Sequence, residues 1–308
     1  MKKISETIVF FGSGPVAAKS LELLQSWCEI EAVVTKPQPP HHRELFPVID
    51  IAQKYELPLL TASDRHELDE VVRQNTFTSR VGVLVDYGII VSQDVLNSFE
   101  FGVINSHFSI LPEWRGADPI TFSILSGQQQ TGVSLMLLVP RMDEGPLIAY
   151  SEYNLPPTIT TPELTDDLIE ISNALLERTL PGYLAGAIDP QPQTITKRQV
   201  SYSRKLTKND GTLDWQKTAE ELEREVRAFA GWPKSRTELA GKSVAITKAH
   251  VVKAACSPGQ LILNGKSLSI GTKHNALGID ALIPAGKREM TVAAFLAGYG
   301  SVLQRDQS

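Results

Sequence analysis

Strand-like and helix-like segments alternate through the first half of this chain of 308 residues. Short apolar, β-branched runs predict strands, and segments with apolar residues at helical spacing predict the helices between them. The strand-like runs are residues 8–11, 30–35, 81–85, 102–105 and 131–139, and the helix-like segments are residues 16–24, 47–55, 64–73 and 93–98. This rhythm is typical of a parallel sheet with helices on both faces, an α/β domain that binds ligands beyond the carboxyl ends of its strands.

The rhythm ends near residue 188, and a polar stretch with two prolines follows at residues 189–193. Such a stretch is typical of a stiff linker. Beyond it the sequence predicts one amphipathic helix at 218–229 and short strands at 243–246, 260–263, 267–270 and 277–282. Short strands with regular turns favour a small antiparallel barrel. We therefore expect a first domain at 1–189, a linker at 190–205 and a second domain at 206–308.

The bulk composition excludes several classes of protein. No run approaches the roughly 20 apolar residues that a membrane helix needs, and no signal-peptide core precedes a cleavage site. Cys28 and Cys256 are far apart in sequence, which favours two reduced thiols in a cytoplasmic protein. His41 and His42 are adjacent with no other ligand near them in sequence, so we expect no metal site. Because no apolar run is long enough to cross a membrane, we also expect no membrane partner.

Charge is divided unevenly along the chain. Residues 1–189 carry 12 Lys/Arg and 25 Asp/Glu, a net charge of −13, whereas residues 190–308 carry 18 and 10, a net charge of +8. A basic half suggests contact with a polyanion, whereas scattered, solvated lysines would have no such meaning. Charge by itself leaves both interpretations open.

A glycine-rich turn, Gly12-Ser13-Gly14-Pro15, follows the first predicted strand and opens the first helix. With Ala17 it fits the G-x-G-x-x-A form of the dinucleotide fingerprint. A nicotinamide site also needs an acidic residue after the second strand, where this chain has Thr35-Lys36, and Pro15 removes an amide donor from the turn. We therefore interpret the turn as a packing and anion-approach feature, and reject a nicotinamide dehydrogenase.

Three polar residues carry the chemistry that the sequence predicts. Asn105 and His107 lie two residues apart at the end of a strand, so their side chains point the same way. Asp143 follows the strand predicted at 131–139, which we expect to deliver it to the same sheet edge. Taken singly, each residue is better explained by a local turn or cap. Together they would place an amide donor, an imidazole and a carboxylate at one point.

This trio suits acyl transfer to an amine. The amine attacks a formyl carbon, and Asn105 or a protonated His107 can stabilise the oxyanion that forms. Asp143 can orient His107 and relay or accept the proton that the amine sheds. No nucleophilic serine or cysteine is required.

The stretch INSHFSILPEWRGADPI, followed by TGVSLMLLVPRMDEGPLI, resembles the signature of the folate-dependent formyltransferases in order and spacing. The resemblance implies a Rossmann-like first domain in which Asn105, His107 and Asp143 are catalytic. It implies that 10-formyltetrahydrofolate is the formyl donor and that no metal takes part. The residues implied to line the folate site are Tyr87, Gly88, Ile89, Ile90, Ser109, Ile110, Leu111, Pro112, Val139 and Met142.

The similarity to one branch of this family runs nearly end to end and includes RAFAGWPKS at 227–235. That branch formylates the methionine carried by initiator tRNA, and its C-terminal OB-like barrel helps to bind the tRNA, which suits the basic half. The resemblance implies a cytoplasmic enzyme, which we expect to be a monomer, with initiator Met-tRNA and folate as partners. The residues assigned to the acceptor substrate are Gly12, Ser13, Gly14, Pro15, Lys36, Arg43 and Arg115.

Two further interpretations stay open. An enzyme acting on an amino sugar nucleotide, such as UDP-4-amino-arabinose, shares the catalytic string and a related barrel. The loop at 36–44 holds only Lys36 and Arg43 as certain cations, fewer than the tRNA branch usually has, which leaves an altered acceptor open. A non-catalytic RNA-binding protein on the same scaffold would have no physical need for all three residues of the trio.

Overall fold

The computed structural model describes residues 7–38 and 46–305, and the chain divides into two compact units. The first unit holds Met1–Pro119, Gln130–Asn154 and Thr165–Ser203, and the second holds Ile120–Gln129, Leu155–Leu164 and Arg204–Ser308. The boundary at residue 204 lies inside the predicted linker 190–205. The segments 120–129 and 155–164 belong to the second unit of the structure, whereas the predicted domain limits, 1–189 and 206–308, place both in the first domain.

The first unit is built on a seven-stranded sheet. The strands described up to residue 203 are β1 (Thr7–Gly12), β2 (Glu29–Thr35), β3 (Leu59–Thr61), β4 (Gly82–Val85), β5 (Val103–His107), β6 (Arg115–Gly116), β7 (Gln130–Leu137), β8 (Leu147–Asn154) and β9 (Tyr202–Ser203). The large sheet has the order β3-β2-β1-β4-β5-β7-β8, and β6 pairs with β9 separately. The five neighbouring strands β3, β2, β1, β4 and β5 are parallel to one another, whereas β7 is antiparallel to both β5 and β8. The predicted α/β fold with a mostly parallel sheet is confirmed.

The helices described up to residue 203 are α1 (Pro15–Leu24), α2 (Pro47–Lys54), α3 (Arg65–Gln74), α4 (Gln93–Asn97), α5 (Pro119–Ser126) and α6 (Thr161–Leu184). The first four follow the parallel strands β1 to β4 in turn. Proline stands in the first turn of α1 and of α2, where its missing amide costs no helical hydrogen bond. The carboxylate of Asp64 caps α3 by accepting from the amides of His66 and Glu67.

The strand order reverses between β1 and β4, and the loops that follow these two strands are joined there. The amide of Ser13 donates to the carbonyl of Asp86 at 3.2 Å, and the hydroxyl of Ser13 donates to the carbonyl of Tyr87 at 2.7 Å. In open α/β sheets a ligand crevice lies at such a reversal, outside the carboxyl ends of the strands. The glycine turn 12–14 therefore helps to build the wall of this crevice.

The longest helix, α6, and the antiparallel strand β8 are not predicted from the sequence. Leu164, Leu168 and Leu175 are at most 1% exposed and recur at helical spacing, so the signal for α6 was present in the sequence. Strand β8, LIAYSEYN, mixes buried, half-buried and exposed residues without strict alternation over its length, so a search for a period of two does not find it. No described helix has the length and apolar content needed to cross a membrane.

The second unit contains an antiparallel sheet. Its strands are β10 (Ser235–Leu239), β11 (Lys242–Val252), β12 (Leu261–Asn264), β13 (Ser267–Gly271), β14 (Ala276–Pro284) and β15 (Met290–Thr291), and its helices are α7 (Ala219–Ala228) and α8 (Val292–Arg305). The order is β10-β11-β14-β13-β12, with β15 beside β14. The antiparallel strands agree with the prediction, α8 was not predicted, and closure of the sheet into an OB-like barrel stays a prediction.

Leu222 of α7 is fully buried in the core of the second unit, which it shares with Phe295 and Leu277. We expect Leu222→Ala to lower the free energy of unfolding by about 2–5 kcal/mol, because the change removes buried apolar surface and leaves a cavity. Urea denaturation would show this as a lower midpoint. The control is Val302→Ala in α8, whose side chain is 40% exposed and whose loss should change the midpoint little. Equal midpoints for Leu222→Ala and the parent would contradict the packing described.

Candidate active site

The carboxyl end of β5 carries the first two residues of the predicted trio. All five residues of β5 are buried, and the alternation of the strand puts Asn105 and His107 on one face of the sheet. Asn105 is 8% exposed and His107 is 6% exposed. Within the described part of the chain, the side-chain amide of Asn105 has no hydrogen-bond partner. A donor held in a wall of the crevice without a protein partner is available to a ligand.

His107 lies between two groups that contact opposite nitrogens of its ring. Its Nε2 is 3.0 Å from the carbonyl oxygen of Trp114, and its Nδ1 is 3.9 Å from Oδ1 of Asp143. A carbonyl oxygen only accepts hydrogen bonds, so Nε2 must donate and carry a proton. In the neutral ring Nδ1 is then unprotonated and faces the carboxylate. A proton that arrives at Nδ1 would lie between the imidazole and Asp143.

The loop that follows β5 supplies the partners of His107 and Asp143. Trp114 has a positive φ of 55°, and its amide donates to Oγ of Ser201 at 2.9 Å. The amide of Gly116 donates to Oδ2 of Asp143 at 2.7 Å. Gly116 itself has a φ of 115°, and a Cβ there would lie 2.2 Å from the carbonyl oxygen of Ser203, so only glycine fits. Gly116 pairs with Ser203 between β6 and β9, and this pairing sets the position of the Gly116 amide that binds the Asp143 carboxylate.

Asp143 reaches His107 by a different path from the one expected. Because β7 is antiparallel to β5, its last residue, Leu137, lies beside Ile104 and not beside His107. The prediction that this strand itself delivers Asp143 to the edge is therefore wrong. The loop at 138–146 turns back instead, and Asp143 in it has a left-handed φ of 53°. The structure still brings His107 and Asp143 together, with the Asp143 side chain 11% exposed.

Residues 109–112 pack behind the site. Ser109, Ile110 and Leu111 are at most 1% exposed. Oγ of Ser134 donates to the carbonyl of Ser109 at 2.8 Å and accepts from the amide of Leu111 at 3.0 Å. These contacts join residues 109–111 to β7, so the segment supports the site from its buried side. Contact between residues 109–112 and folate stays a prediction.

Two loops near the strand reversal and the site expose large apolar side chains. Ile90, in the loop after β4, and Met142, in the loop after β7, are each 71% exposed. Tyr87, in contrast, is 1% exposed and packs edge-on against Phe11, and its burial raises the pKa of the phenol well above its usual value. The phenol of Tyr87 is therefore part of the core, and contact between its backbone and folate stays a prediction.

The residues assigned to the acceptor have mixed surroundings. Nζ of Lys36 donates to the carbonyl of Gly88 at 3.1 Å. The guanidinium of Arg115 bonds to Gln193 and lies 3.2 Å from Oε1 of Glu144. Arg43 lies outside the described residues, and the assignment of all of these residues to the acceptor stays a prediction. In the described ranges 7–38 and 46–305, no group of three or more His, Cys, Asp or Glu side chains is arranged to hold a metal ion.

Sequence reasoning missed Gln193, Ser201 and Ser203, which the structure places around the trio. All three fall at the edge of, or inside, the stretch predicted as a linker. Ser201 accepts from the amide of Trp114, and Ser203 accepts from the amide of Asp118 at 3.1 Å. The only available signal was the alternation of Ser201 and Ser203 about the 64% exposed Tyr202, which is typical of a short edge strand.

Comparison with protein families decides what this site belongs to. Residues 6–180 match the model described as "Formyl transferase", and residues 205–300 match "Formyl transferase, C-terminal domain". The chain belongs to the formyltransferase family. Membership makes it a transferase, and it confirms the resemblance that the catalytic string and the C-terminal segments carried. The non-catalytic interpretation is thereby the weaker one.

Curated relatives within the formyltransferase family are similar along almost their whole length. The methionyl-tRNA formyltransferase of Chloroflexus aurantiacus is 37% identical over 302 residues, which cover 94% of this chain and 96% of that protein. The protein of the same name from Methylococcus capsulatus is 36% identical over 299 residues, covering 95% and 96% respectively.

Among solved structures, the sugar 3N-formyltransferase WlaRD superposes with a TM-score of 0.68 over 92% of this formyltransferase and 99% of that chain. HypX from Aquifex aeolicus in complex with tetrahydrofolic acid superposes with a TM-score of 0.62 over 95% of this chain and 47% of that one. Both are 16% identical to it, so they show a shared fold.

Proposed function

We propose that this chain transfers the formyl group of 10-formyltetrahydrofolate to the amino group of methionine on initiator Met-tRNA. The observation that carries the chemistry is the position of Asn105 at the end of β5, beside His107 and its partner Asp143. The acceptor is supported by the relatives named methionyl-tRNA formyltransferase, which match 94–96% of this chain at 32–37% identity. We propose in addition that the enzyme acts as a monomer in the cytoplasm.

The chain's own residues divide the work of formyl transfer. As the amine attacks, negative charge develops on the formyl oxygen, and the side-chain amide of Asn105, which has no partner among the described residues, can donate to it, an effect worth about 3 kcal/mol per donor. The amine sheds a proton, which Nδ1 of His107 accepts while Nε2 stays bonded to Trp114. Asp143, held by the amide of Gly116, stabilises the imidazolium that results. The buried setting strengthens each of these interactions.

The structure fits a flat donor such as a reduced folate at this edge of the sheet. When bound, the folate would supply the formyl group, and its nitrogen would leave as a neutral amine after taking up the proton that His107 received from the attacking amine. The exposed Ile90 and Met142 are apolar surface that a ring could cover, which would stabilise the bound state. The backbone of the turn at Asp86 and Gly88, both with positive φ, offers polar groups to the edge of a ring. Tyr87, Gly88, Ile89, Ile90, Val139 and Met142 are therefore proposed to hold the ring.

The basic second unit is proposed to contact the tRNA backbone. We expect replacement of the exposed Lys266, Lys273 and Lys287 together by glutamine to weaken initiator tRNA binding and to reduce the slope of log K against log salt by up to about 0.9 per lost phosphate contact. Filter binding at several salt concentrations measures this. The matched control is Lys19→Gln in the first unit, where the lysine pairs with Asp166. An unchanged slope in the triple variant would count against contact at these lysines.

The function is tested by formyl transfer from 10-formyltetrahydrofolate to charged initiator Met-tRNA, read by product mass. Charged elongator Met-tRNA and a UDP-amino sugar serve as competing acceptors. Formylation of the initiator supports the proposal. Formylation of the sugar alone would keep the catalytic trio and overturn the tRNA assignment, an outcome that the shared fold with WlaRD makes worth measuring. Transfer to none of the three would reject the proposed reaction.

A further inference from the structure

Gln193 lies outside the predicted catalytic trio but contacts the loop that carries Asp143. The residue is 7% exposed, although it ends a polar stretch that holds two prolines. Its Nε2 donates to the carbonyl of Asp143 at 2.7 Å and to the carbonyl of Gly145 at 3.0 Å. A side-chain amide has two N–H donors, so both are used on the carbonyls that flank Glu144.

Arg115 contacts the other end of the same amide. Its Nε and Nη2 both donate to Oε1 of Gln193, at 3.2 and 2.7 Å, and its Nη1 lies 3.2 Å from Oε1 of Glu144. A guanidinium only donates, so the oxygen of Gln193 must face Arg115 and the NH₂ group must face the loop. Residues 143, 144 and 145 are consequently each held by Gln193 or Arg115.

The direction of the Asp143 side chain depends on the backbone conformation of this residue. Its φ of 53° lies in the left-handed region, which L-residues other than asparagine and aspartate seldom adopt. Such conformations persist where the surroundings hold them in place. The hydrogen bonds from Gln193 fix the carbonyls on both sides of this segment. The Asp143 side chain then reaches the amide of Gly116 at 2.7 Å and Nδ1 of His107 at 3.9 Å.

We propose that Gln193 is a positioning residue for Asp143 and that Arg115 orients Gln193 for this role. The inference rests on the proposed function, because it takes Asp143 to act in formyl transfer. Gln193 acts only through the backbone of residues 143–145. The segment expected to be a linker thus completes the active site.

The first test is single-turnover formyl transfer to initiator Met-tRNA by Gln193→Ala and Gln193→Glu. Both variants lose the two donors, and the glutamate variant keeps the size and the acceptor for Arg115. We expect the rate to fall about 10- to 100-fold in each, because small displacements of a catalytic group have effects of this size. The matched control is Gln191→Ala, whose exposed side chain bonds to the carbonyl of Asp189 and whose rate should stay within about two-fold of the parent.

A double-mutant cycle separates positioning from a general structural effect. If Gln193 acts through Asp143, Gln193→Ala should change the rate by less than about two-fold when Asp143→Asn is already present. An equal loss in both backgrounds, or an equal loss in Gln191→Ala, would overturn the proposal.

A readout that needs no activity keeps this inference distinct from the proposed function. Hydrogen exchange of the Gly116 amide reports its bond to the Asp143 carboxylate. We expect its protection to fall at least about ten-fold in both Gln193 variants and to be unchanged in Gln191→Ala. If the parent formylates no tRNA, loss of protection in the Gln193 variants would still support the positioning role, while the proposed reaction would be rejected. Unchanged protection in a folded Gln193→Glu variant would overturn the positioning role whatever the activity.

Discussion

Replacing His107 by alanine should lower kcat for formyl transfer by about 10²- to 10⁴-fold, the range typical of general acid–base groups. The change removes the nitrogen that faces Asp143 at 3.9 Å and the ring that bridges it to the carbonyl of Trp114. Folate binding should largely survive, because His107 contributes chemistry and not the proposed ring contacts. Single-turnover rates and folate affinity, measured on the same preparation, separate the two effects.

The control for His107 is His66→Ala, which removes an 84% exposed histidine from α3 in the same unit. It should leave kcat within about two-fold of the parent. Asp143→Ala should approach the loss seen for His107→Ala, because the two residues act on one proton. Unchanged turnover in Asp143→Ala would remove Asp143 from the mechanism, and a loss confined to folate affinity would place His107 in binding instead.

Replacing Gly145 by alanine should lower kcat on the order of 10²-fold, because the change displaces the loop that carries Asp143 and leaves every catalytic side chain in place in the sequence. A Cβ at this position would lie 1.7 Å from the carbonyl oxygen of Leu137. This oxygen belongs to the backbone of β7, so a change of side-chain rotamer cannot relieve the clash. Leu137 also donates its amide to the carbonyl of Pro146 at 3.0 Å, so the loop must shift away from β7. Asp143, two residues earlier, would shift with it.

Gly298→Ala in α8 is the matched control for Gly145→Ala, because a Cβ there has no neighbour within 4 Å. Alanine in a helix is favoured over glycine, so this variant should keep its kcat and its thermal midpoint. Thermal melting of the Gly145 variant distinguishes a displaced loop in a folded protein from general unfolding. Full activity in a folded Gly145→Ala variant would show that the loop tolerates movement. It would contradict the inference that the backbone of residues 143–145 positions Asp143.

Local patterns identified much of this fold and the chemistry of its site. The apolar runs of β1 and β4 are continuous, as expected for strands buried on both faces, and each stands out within a few residues of sequence. The two-residue spacing of Asn105 and His107 placed both side chains on one face without any knowledge of the rest of the chain. The family motif around them added the folate and the formyl group.

Other features of the site depend on residues that are far apart in sequence. The reversed direction of β7 follows from its pairing with β5, and no window of the sequence contains that pairing. Gln193 stands 50 residues beyond Asp143, and its neighbours Pro190 and Pro192 gave it the character of a linker. Its burial and its two hydrogen bonds exist only once the first unit has packed.

The sequence by itself therefore determined five of the seven strands of the first sheet, all except β3 and β8, and which side chains carry the chemistry, because apolar periodicity and short motifs act over a few residues. Tertiary structure alone decided how those side chains are held: the left-handed backbone at Asp143, the amide of Gly116 against its carboxylate, and the hydrogen bonds of Gln193 to the carbonyls of Asp143 and Gly145. The physical reason is that each such contact joins distant parts of the chain, and its free energy is gained only after their backbone conformations have been ordered together.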